Sequence, residues 1–317
     1  MSKKNNHNPV PSCNGAWITI GSFDGVHQGH QQIIRELVIG AHKEHQLAVV
    51  VTFFPNPAVV VREIQTLFYL TTVEEKTRLL TAMGVDSVLS IAFNKELSRM
   101  SAESFMSMLH DRLQFSCLLI GYDFRLGANR EGDIQSLEEI GKNLGFCVRS
   151  IPPVENNDKP VSSSLIRNLL KSGNVESAAD FLGRFYELEG KVIHGDGRGK
   201  HIGLPTANIQ PWDKKIIPAS GVYAAFVRIN GMIHPSVMSI GVRPTFYDHP
   251  TKQTIEIHIL DFKEEIYGEN LQLYFVSCIR PEKKFDSIET LMEQIRKDIN
   301  HAREVLSNAP AKKYLPA

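Results

Sequence analysis

A doubly wound parallel α/β sheet, followed by a small antiparallel β-barrel with a C-terminal helix, is the architecture this sequence predicts. Three observations lead there. From residue 16 to about 182, short apolar runs alternate with segments of helical spacing, the pattern of a parallel sheet covered on both sides. After Leu182 the later runs alternate in twos without intervening helices, the pattern of an antiparallel barrel. The chain then closes on Phe285, Ile288, Leu291, Met292, Ile295, Ile299, Ala302 and Val305, spaced for one amphipathic helix packed against that barrel.

The elements follow in order. Residues 1–15 are polar and carry no apolar segment, so they read as a frayed terminus and not a signal peptide. Residues 16–20, 47–53, 87–91, 117–120 and 146–151 read as strands buried on both faces. Between them, Ile33, Ile34, Leu37 and Val38, then Phe105, Met106 and Leu109, mark helices. Further strands are expected at 222–229, 235–240, 254–260 and 271–276; the third is clearest, with isoleucines on one face and Glu256 and His258 on the other. A chain of 317 residues exceeds one core, since a domain usually takes roughly 100 to 200 residues. The expected division is a terminus at 1–15, a first domain at 16–182 and a second at 183–317.

Composition narrows the function. Lys+Arg 35 against Asp+Glu 35 leaves a formal net charge of zero, which argues against a general grip on nucleic acid or anionic lipid. No stretch could span a bilayer. Cys13, Cys117, Cys147 and Cys278 form no CxxC pair; three sit in apolar runs, so buried free thiols in a reducing cytoplasm are expected. Oligomeric state is not readable.

The first chemical pattern is Gly21-Ser22-Phe23-Asp24-Gly25-Val26-His27-Gln28-Gly29-His30, directly after the first strand. Glycines let backbone approach a ligand, and a helix start offers unpaired N–H groups to anions. His27 and His30, three apart, can reach one phosphate, and either can carry charge near neutral pH. A turn whose histidines only cap and pack is the alternative. The second pattern, residues 190–208, is glycine-rich and carries Arg198 and Lys200, so it can wrap phosphates or be a plain hairpin loop.

The first pattern resembles the signature of the HxGH nucleotidyltransferases, specifically the bifunctional prokaryotic riboflavin kinase/FAD synthetases. Further segments match that family in order. Thr52-Phe53-Phe54-Pro55-Asn56-Pro57 resembles its TFxPxP run, with Asn56 where the family often has His. Gly121-Tyr122-Asp123-Phe124-Arg125-Leu126-Gly127 resembles GxDFRFG, with Leu126 for the second Phe. Arg130-Glu131-Gly132-Asp133 follows, and Ser162-Ser163-Ser164-Leu165-Ile166-Arg167 resembles SSTxIR, with Ser164 for Thr. Serines at a helix start can cap it, meet a phosphate, or do both. The resemblance implies adenylyl transfer: FMN attacks the α-phosphorus of ATP, with His27, His30 and Arg167 catalytic and Gly21, Phe23, Asp24, Gly29, Asn56, Asp123, Ser162 and Ser163 at the nucleotide.

The second pattern resembles the riboflavin kinase run GxVxxGxGRGxxxGxPTAN, ending in Pro205-Thr206-Ala207-Asn208. Gly195, Arg198, Lys200 and Thr206 would meet ATP. Thr206 and Asn208 flank Ala207, so in an extended segment both point one way, and such oxygen ligands suit Mg²⁺. Thr254, Glu256 and His258 fit the family's TxExH pattern, which implies Glu256 as catalytic base. Tyr267, Arg280 and Phe285 would meet flavin, which this family holds between barrel and final helix. Ser239 stands where the family usually has Asn. The implied substrates and products are riboflavin, FMN, FAD and ATP. Two other possibilities stay open: a kinase whose first domain only binds or regulates, given Asn56, Leu126 and Leu165, and a flavin or nucleotide sensor without turnover. A Rossmann oxidoreductase is disfavoured because GxGxxG does not follow the first strand.

Overall fold

The computed structural model describes residues 15–64, 67–152, 155–156, 159–195, 205–242, 253–310 and 314–315. It divides into two compact units, residues 1–161 and 162–317.

In the first unit β1 (Ala16–Ile20) leads to α1 (Gln28–Lys43), β2 (Leu47–Phe54), α2 (Pro57–Val61), α3 (Val73–Ala82) and β3 (Ser87–Ala92). Then come α4 (Lys95–Ser98), α5 (Ala102–Leu113), β4 (Phe115–Gly121), α6 (Ile134–Leu144) and β5 (Cys147–Ile151), with a short hairpin of β6 (Glu155–Asn156) and β7 (Lys159–Pro160). The five main strands are parallel in the order β3-β2-β1-β4-β5. Strand alternation sorts the apolar residues into two cores. Ile18, Val49, Val51 and Leu118 face Phe105, Met106 and Leu109 of α5. Trp17, Ala48, Val50 and Leu119 face Ile34 and Leu37 of α1 and Leu80 of α3.

Burial on both faces holds for β1 but not for the edge strands. Residues along β3 and β5 are partly or fully exposed, because an edge strand has a neighbour on one side only. For the same reason Cys147 is exposed, against expectation, whereas Cys117 is buried and Cys278 half-buried; Cys13 lies outside the described residues. Strand order reverses between β1 and β4, and at such a switch point a crevice opens beyond the carboxyl ends of the strands. The segments after β1 and β4 meet there.

The second unit begins with α7 (Ser163–Lys171) and α8 (Val175–Leu182). The barrel strands are β8 (Tyr186–Ile193), β9 (Ala207–Pro211), β10 (Gly221–Ile229), β11 (Met232–Val242), β12 (Gln253–Ile259) and β13 (Asn270–Pro281), before α9 (Ile288–Asn308). They close in the order β10-β11-β12-β9-β8-β13. An Asn230-Gly231 pair, both at positive φ, makes the two-residue turn between β10 and β11. Ile255, Ile257 and Ile259 are buried, while Ala224, Phe226 and Tyr274 pack outward against Ala179 of α8 and Ala302 and Leu306 of α9.

Three details depart from the sequence expectation. β8 and β9 extend into the two ends of the glycine-rich run 190–208, where the sequence pattern marks no strand. Helices α7 and α8 pack with the barrel unit: Glu176 accepts hydrogen bonds from the Ser277 hydroxyl and the Cys278 N–H, and the Ala219 N–H donates to the Leu170 carbonyl at 3.0 Å. Phe285 lies before α9, whose N-cap is Ser287. The helix is held instead by a residue its periodicity does not flag. Asp298, 3% exposed, accepts from Arg280 Nε at 3.1 and 2.9 Å and from Gln294 at 2.8 Å. Asp298→Ala, which strands the Arg280 guanidinium, is expected to cost about 3 to 5 kcal/mol, read as a lowered urea midpoint for the barrel unit.

Candidate active site

In the sheet unit the turn after β1 is held in an unusual backbone shape. Phe23, Gly25 and Val26 have φ of 45°, 84° and 40°. At Gly25 a side chain would also meet Leu70 at 2.7 Å. Asp24 fixes this shape. Its carboxylate, 3% exposed, accepts from the backbone N–H of Leu70 at 3.0 Å and of Thr71 at 3.1 Å, and the Gly25 N–H donates to the Thr71 hydroxyl at 3.1 Å. Asp24 is therefore spent on the scaffold, and Phe23, 2% exposed, is packed with its ring 5.1 Å from that of His30. Both side chains are buried, as His27 is at 6% exposed, so in this structure Phe23 and Asp24 support the turn.

The turn delivers the two histidines together. His27 is the N-cap of α1, its Nδ1 accepting the His30 N–H at 3.4 Å. The two rings stack at 3.6 Å and 18°, beside Gly29 in the first helical turn. The cap uses His27 Nδ1 and the His30 N–H; the start of a long helix is a general setting for anion binding.

A cleft of about 770 Å³ opens beside this turn, with Gly21, Ser22, Asn56 and Asp123 on its wall. Asn56 also caps α2 through the Ala58 N–H at 3.0 Å. Five cations line the cleft: Arg62, Lys95, Arg99, Arg125 and Arg130. Arg125 and Arg130 lie in segments already singled out; Arg62, Lys95 and Arg99 come from α2, α4 and their ends, where no sequence pattern marked them. Phe53, Phe93 and Phe124 supply apolar surface. Leu126 joins the core on the α5 side, where its substitution for Phe keeps an apolar residue. Glu131 accepts the Ala102 N–H at 2.9 Å. Asp133 caps α6, and hydrogen bonds from Ser136 hold its carboxyl below the ordinary range.

Ser162, Ser163 and Arg167 belong to the second unit. Ser162 caps α7 by accepting the Leu165 N–H at 3.2 Å, Ser163 opens the helix, and Arg167 is half-buried one turn on.

On the barrel, one register row gathers Asn208, Glu256 and Arg280. Asn208 of β9 is opposite Glu256 of β12, which is opposite Ser239 of β11; Val222 and then Arg280 continue the row. Directly opposed residues share a face, and the buried isoleucines of β12 make this the outer one. The departure at Ser239 thus sits beside Glu256. His258, two residues on, bonds through Nδ1 to the Pro205 carbonyl at 2.8 Å, tethering the segment that leads to Thr206. Gly195 lies against the Asn208 amide so closely that any Cβ would overlap it. Thr206 and Asn208 offer oxygen donors, and only a glycine at 195 leaves room for the Asn208 amide, a chemistry that fits Mg²⁺. Tyr267 is half exposed and stacks on His194 at 4.1 Å. Arg280 is committed to Asp298 and lies 5.6 Å over the Phe285 ring. Arg198 and Lys200 lie outside the described residues.

Known families match both units. The FAD synthetase family profile covers residues 10–165 and the riboflavin kinase profile residues 182–306. Proteins described as bifunctional riboflavin kinase/FMN adenylyltransferase are similar over nearly the whole chain. That of Bacillus subtilis (strain 168) is 34% identical, covering 92% of each chain. That of Escherichia coli (strain K12) is 36% identical, also covering 92% of each. That of Pseudomonas fluorescens is 37% identical, covering 94% of this chain and 95% of the other. The chain belongs to the bifunctional riboflavin kinase/FMN adenylyltransferase family. A solved structure described as a macrolide-efflux protein from Streptococcus pneumoniae is 30% identical, covers 93% of this chain and 95% of that one, and has a TM-score of 0.86. Among the described residues here, no helix is long and apolar enough to cross a membrane.

In this bifunctional family member the FAD synthetase match falls on the parallel sheet and the flavin kinase match on the barrel. The contact at Gly195 makes a direct test of the barrel site. Gly195→Ala should push Asn208 aside and reduce riboflavin phosphorylation on the order of 10²-fold, with FMN adenylylation by the same preparation as the control that stays constant.

Proposed function

We propose that each unit grasps its own ATP and attacks a different phosphorus. The chain phosphorylates riboflavin to FMN in the barrel unit and adenylylates FMN to FAD, releasing pyrophosphate, in the sheet unit. The functional boundary follows the motifs, at 182/183, so that residues 16–182 serve adenylyl transfer although α7 and α8 pack with the barrel. What carries this reading is that two unlike constellations, stacked histidines on a turn whose Gly21 and Ser22 border a cationic cleft and a carboxylate facing an asparagine on a barrel, occupy separate compact units.

For adenylyl transfer, the terminal phosphate of FMN attacks the α-phosphorus in line and pyrophosphate leaves. His27, His30 and the start of α1 stabilise the charge that grows on the phosphate oxygens, and the motif resemblance assigns Arg167 a bidentate grip on a phosphate. Gly21 and Gly29 let the backbone come close, Asn56 and Asp123 border the nucleotide, and Ser162 and Ser163 offer hydroxyls. The cationic cleft wall suits FMN, which brings a second anionic phosphate, and its phenylalanines suit the flavin ring.

For the kinase, Glu256 takes the proton from the ribityl 5′-hydroxyl as that oxygen attacks the γ-phosphorus. Thr206 and Asn208 would hold Mg²⁺. The chemistry it would supply is positive charge that offsets part of the charge on the ATP phosphates. Gly195 with Arg198 and Lys200 would wrap the phosphates, and Tyr267 gives the flavin a stacking surface. Arg280 and Phe285 border the flavin while their main work is to hold α9.

Separating the flavins formed from riboflavin and MgATP tests the assignment. The wild-type chain should give FMN and FAD. His30→Ala should lose FAD formation on the order of 10² to 10³ fold and keep FMN formation. Glu256→Gln should do the reverse, stopping phosphorylation while adenylylating supplied FMN. Loss of both activities in either variant would refute the division of labour.

A further inference from the structure

Lys76 is a charged group with no part in the chemistry above. It lies on α3 inside the sheet unit, 6% exposed. Its ammonium donates to the Ser22 carbonyl at 2.9 Å and to the Thr52 hydroxyl oxygen at 2.8 Å. Ser22 belongs to the signature turn and lines the cleft. The Thr52 hydroxyl itself donates to that same Ser22 carbonyl at 3.1 Å. Both acceptors are thus already paired with each other, and neither requires the lysine.

Its presence is costly. Taking an ammonium out of water is unfavourable unless it is well paired. Burial pushes Lys76 down to about 8, against the opposing pull of the Asp24 carboxylate. That carboxylate already accepts the Leu70 and Thr71 N–H groups. A methionine would fill similar volume without the charge. When a costly buried cation could be removed without orphaning its partners, stability does not account for it; function can, as in the common trade of stability for activity.

We propose that Lys76 is a positioning residue for adenylyl transfer: from beneath the turn that carries His27 and His30, it fixes Ser22 on the cleft wall and supplies a buried positive charge toward the anionic substrates. It touches no substrate. Preorganised charge at a water-poor site is worth more than the same charge in solvent, and small displacements of a reacting constellation cost large factors in rate. The inference rests on the sheet unit being the adenylyltransferase.

Lys76→Met and Lys76→Gln in the full chain test it. Both remove the charge, and glutamine keeps a polar N–H donor on a shorter side chain, so it reports on charge even where methionine folds poorly. The expected result is a fall of about 10- to 100-fold in kcat for FMN adenylylation, with riboflavin phosphorylation constant and no lowering of the thermal transition. Activity within twofold of wild type in the glutamine variant would overturn the proposal. So would loss of activity in step with a lowered transition, because that marks a purely structural lysine. If the wild-type chain forms no FAD from FMN, the underlying assignment fails instead.

Discussion

The sheet unit's chemistry depends on one buried carboxylate. Two non-glycine residues of the turn after β1, Phe23 and Val26, sit at positive φ, a conformation that costs of order 1 to 3 kcal/mol each. Asp24 offsets this by accepting the Leu70 and Thr71 N–H groups, since hydrogen bonds to a charged group contribute about 1.5 to 3 kcal/mol each. Thr71 adds a bond to Gly25, and α3 begins at once behind it with a Thr72–Glu75 capping box. The segment from Leu70 into α3 is therefore a buttress, and the histidine stack stands where the buttress puts it.

The barrel solves its positioning problem by register. Moving β12 by one residue would carry every side chain to the other face. Glu256 would then enter the core and the isoleucines would meet solvent. Burial of Ile255, Ile257 and Ile259 makes that slip prohibitive, so the alternation that builds the core also holds Glu256 outward, opposite Asn208. The strand fixes the neighbouring segment too, through the bond from His258 to the Pro205 carbonyl. Core and site are specified by the same seven residues.

Much of this was legible in the sequence, and the rest was hidden for definable reasons. Periodicity located the interior strands closely, because residues buried on both faces leave an uninterrupted apolar run; β1 has the expected ends. β8 and β9 were obscured by the glycines and charges of residues 190–208, which mask an alternation visible only once partner strands are known. Spacing gave the histidine pair but not the direction of its neighbours. Asp24 and Phe23 sit in the same motif as His27, yet one turns to α3's entry and the other into the core, which no one-dimensional pattern encodes. The cations Arg62, Lys95 and Arg99 converge from separate short helices, so only folding assembles them. Asp298 lies on the apolar stripe of α9 because its charge is answered by Arg280 on β13, a long-range pairing that periodicity alone penalises.

The two units face opposite electrostatic demands. A kinase acting on riboflavin activates a neutral hydroxyl, which calls for an acceptor; one carboxylate in a row with asparagine and serine suits that. Adenylylation of FMN brings two anions together, and their repulsion must be screened before any bond can form. Around one cleft stand five cations and two carboxylates, Asp123 and the Glu63 that pairs with Lys95, and the cationic excess suits the site proposed for that second task. A single pocket could not meet both needs well: a carboxylate placed to deprotonate the hydroxyl would repel the phosphate that the hydroxyl becomes. Under the proposed assignment, dividing the steps between a barrel row that carries one base and a cationic cleft on a sheet lets the product of the first reaction be the better ligand of the second.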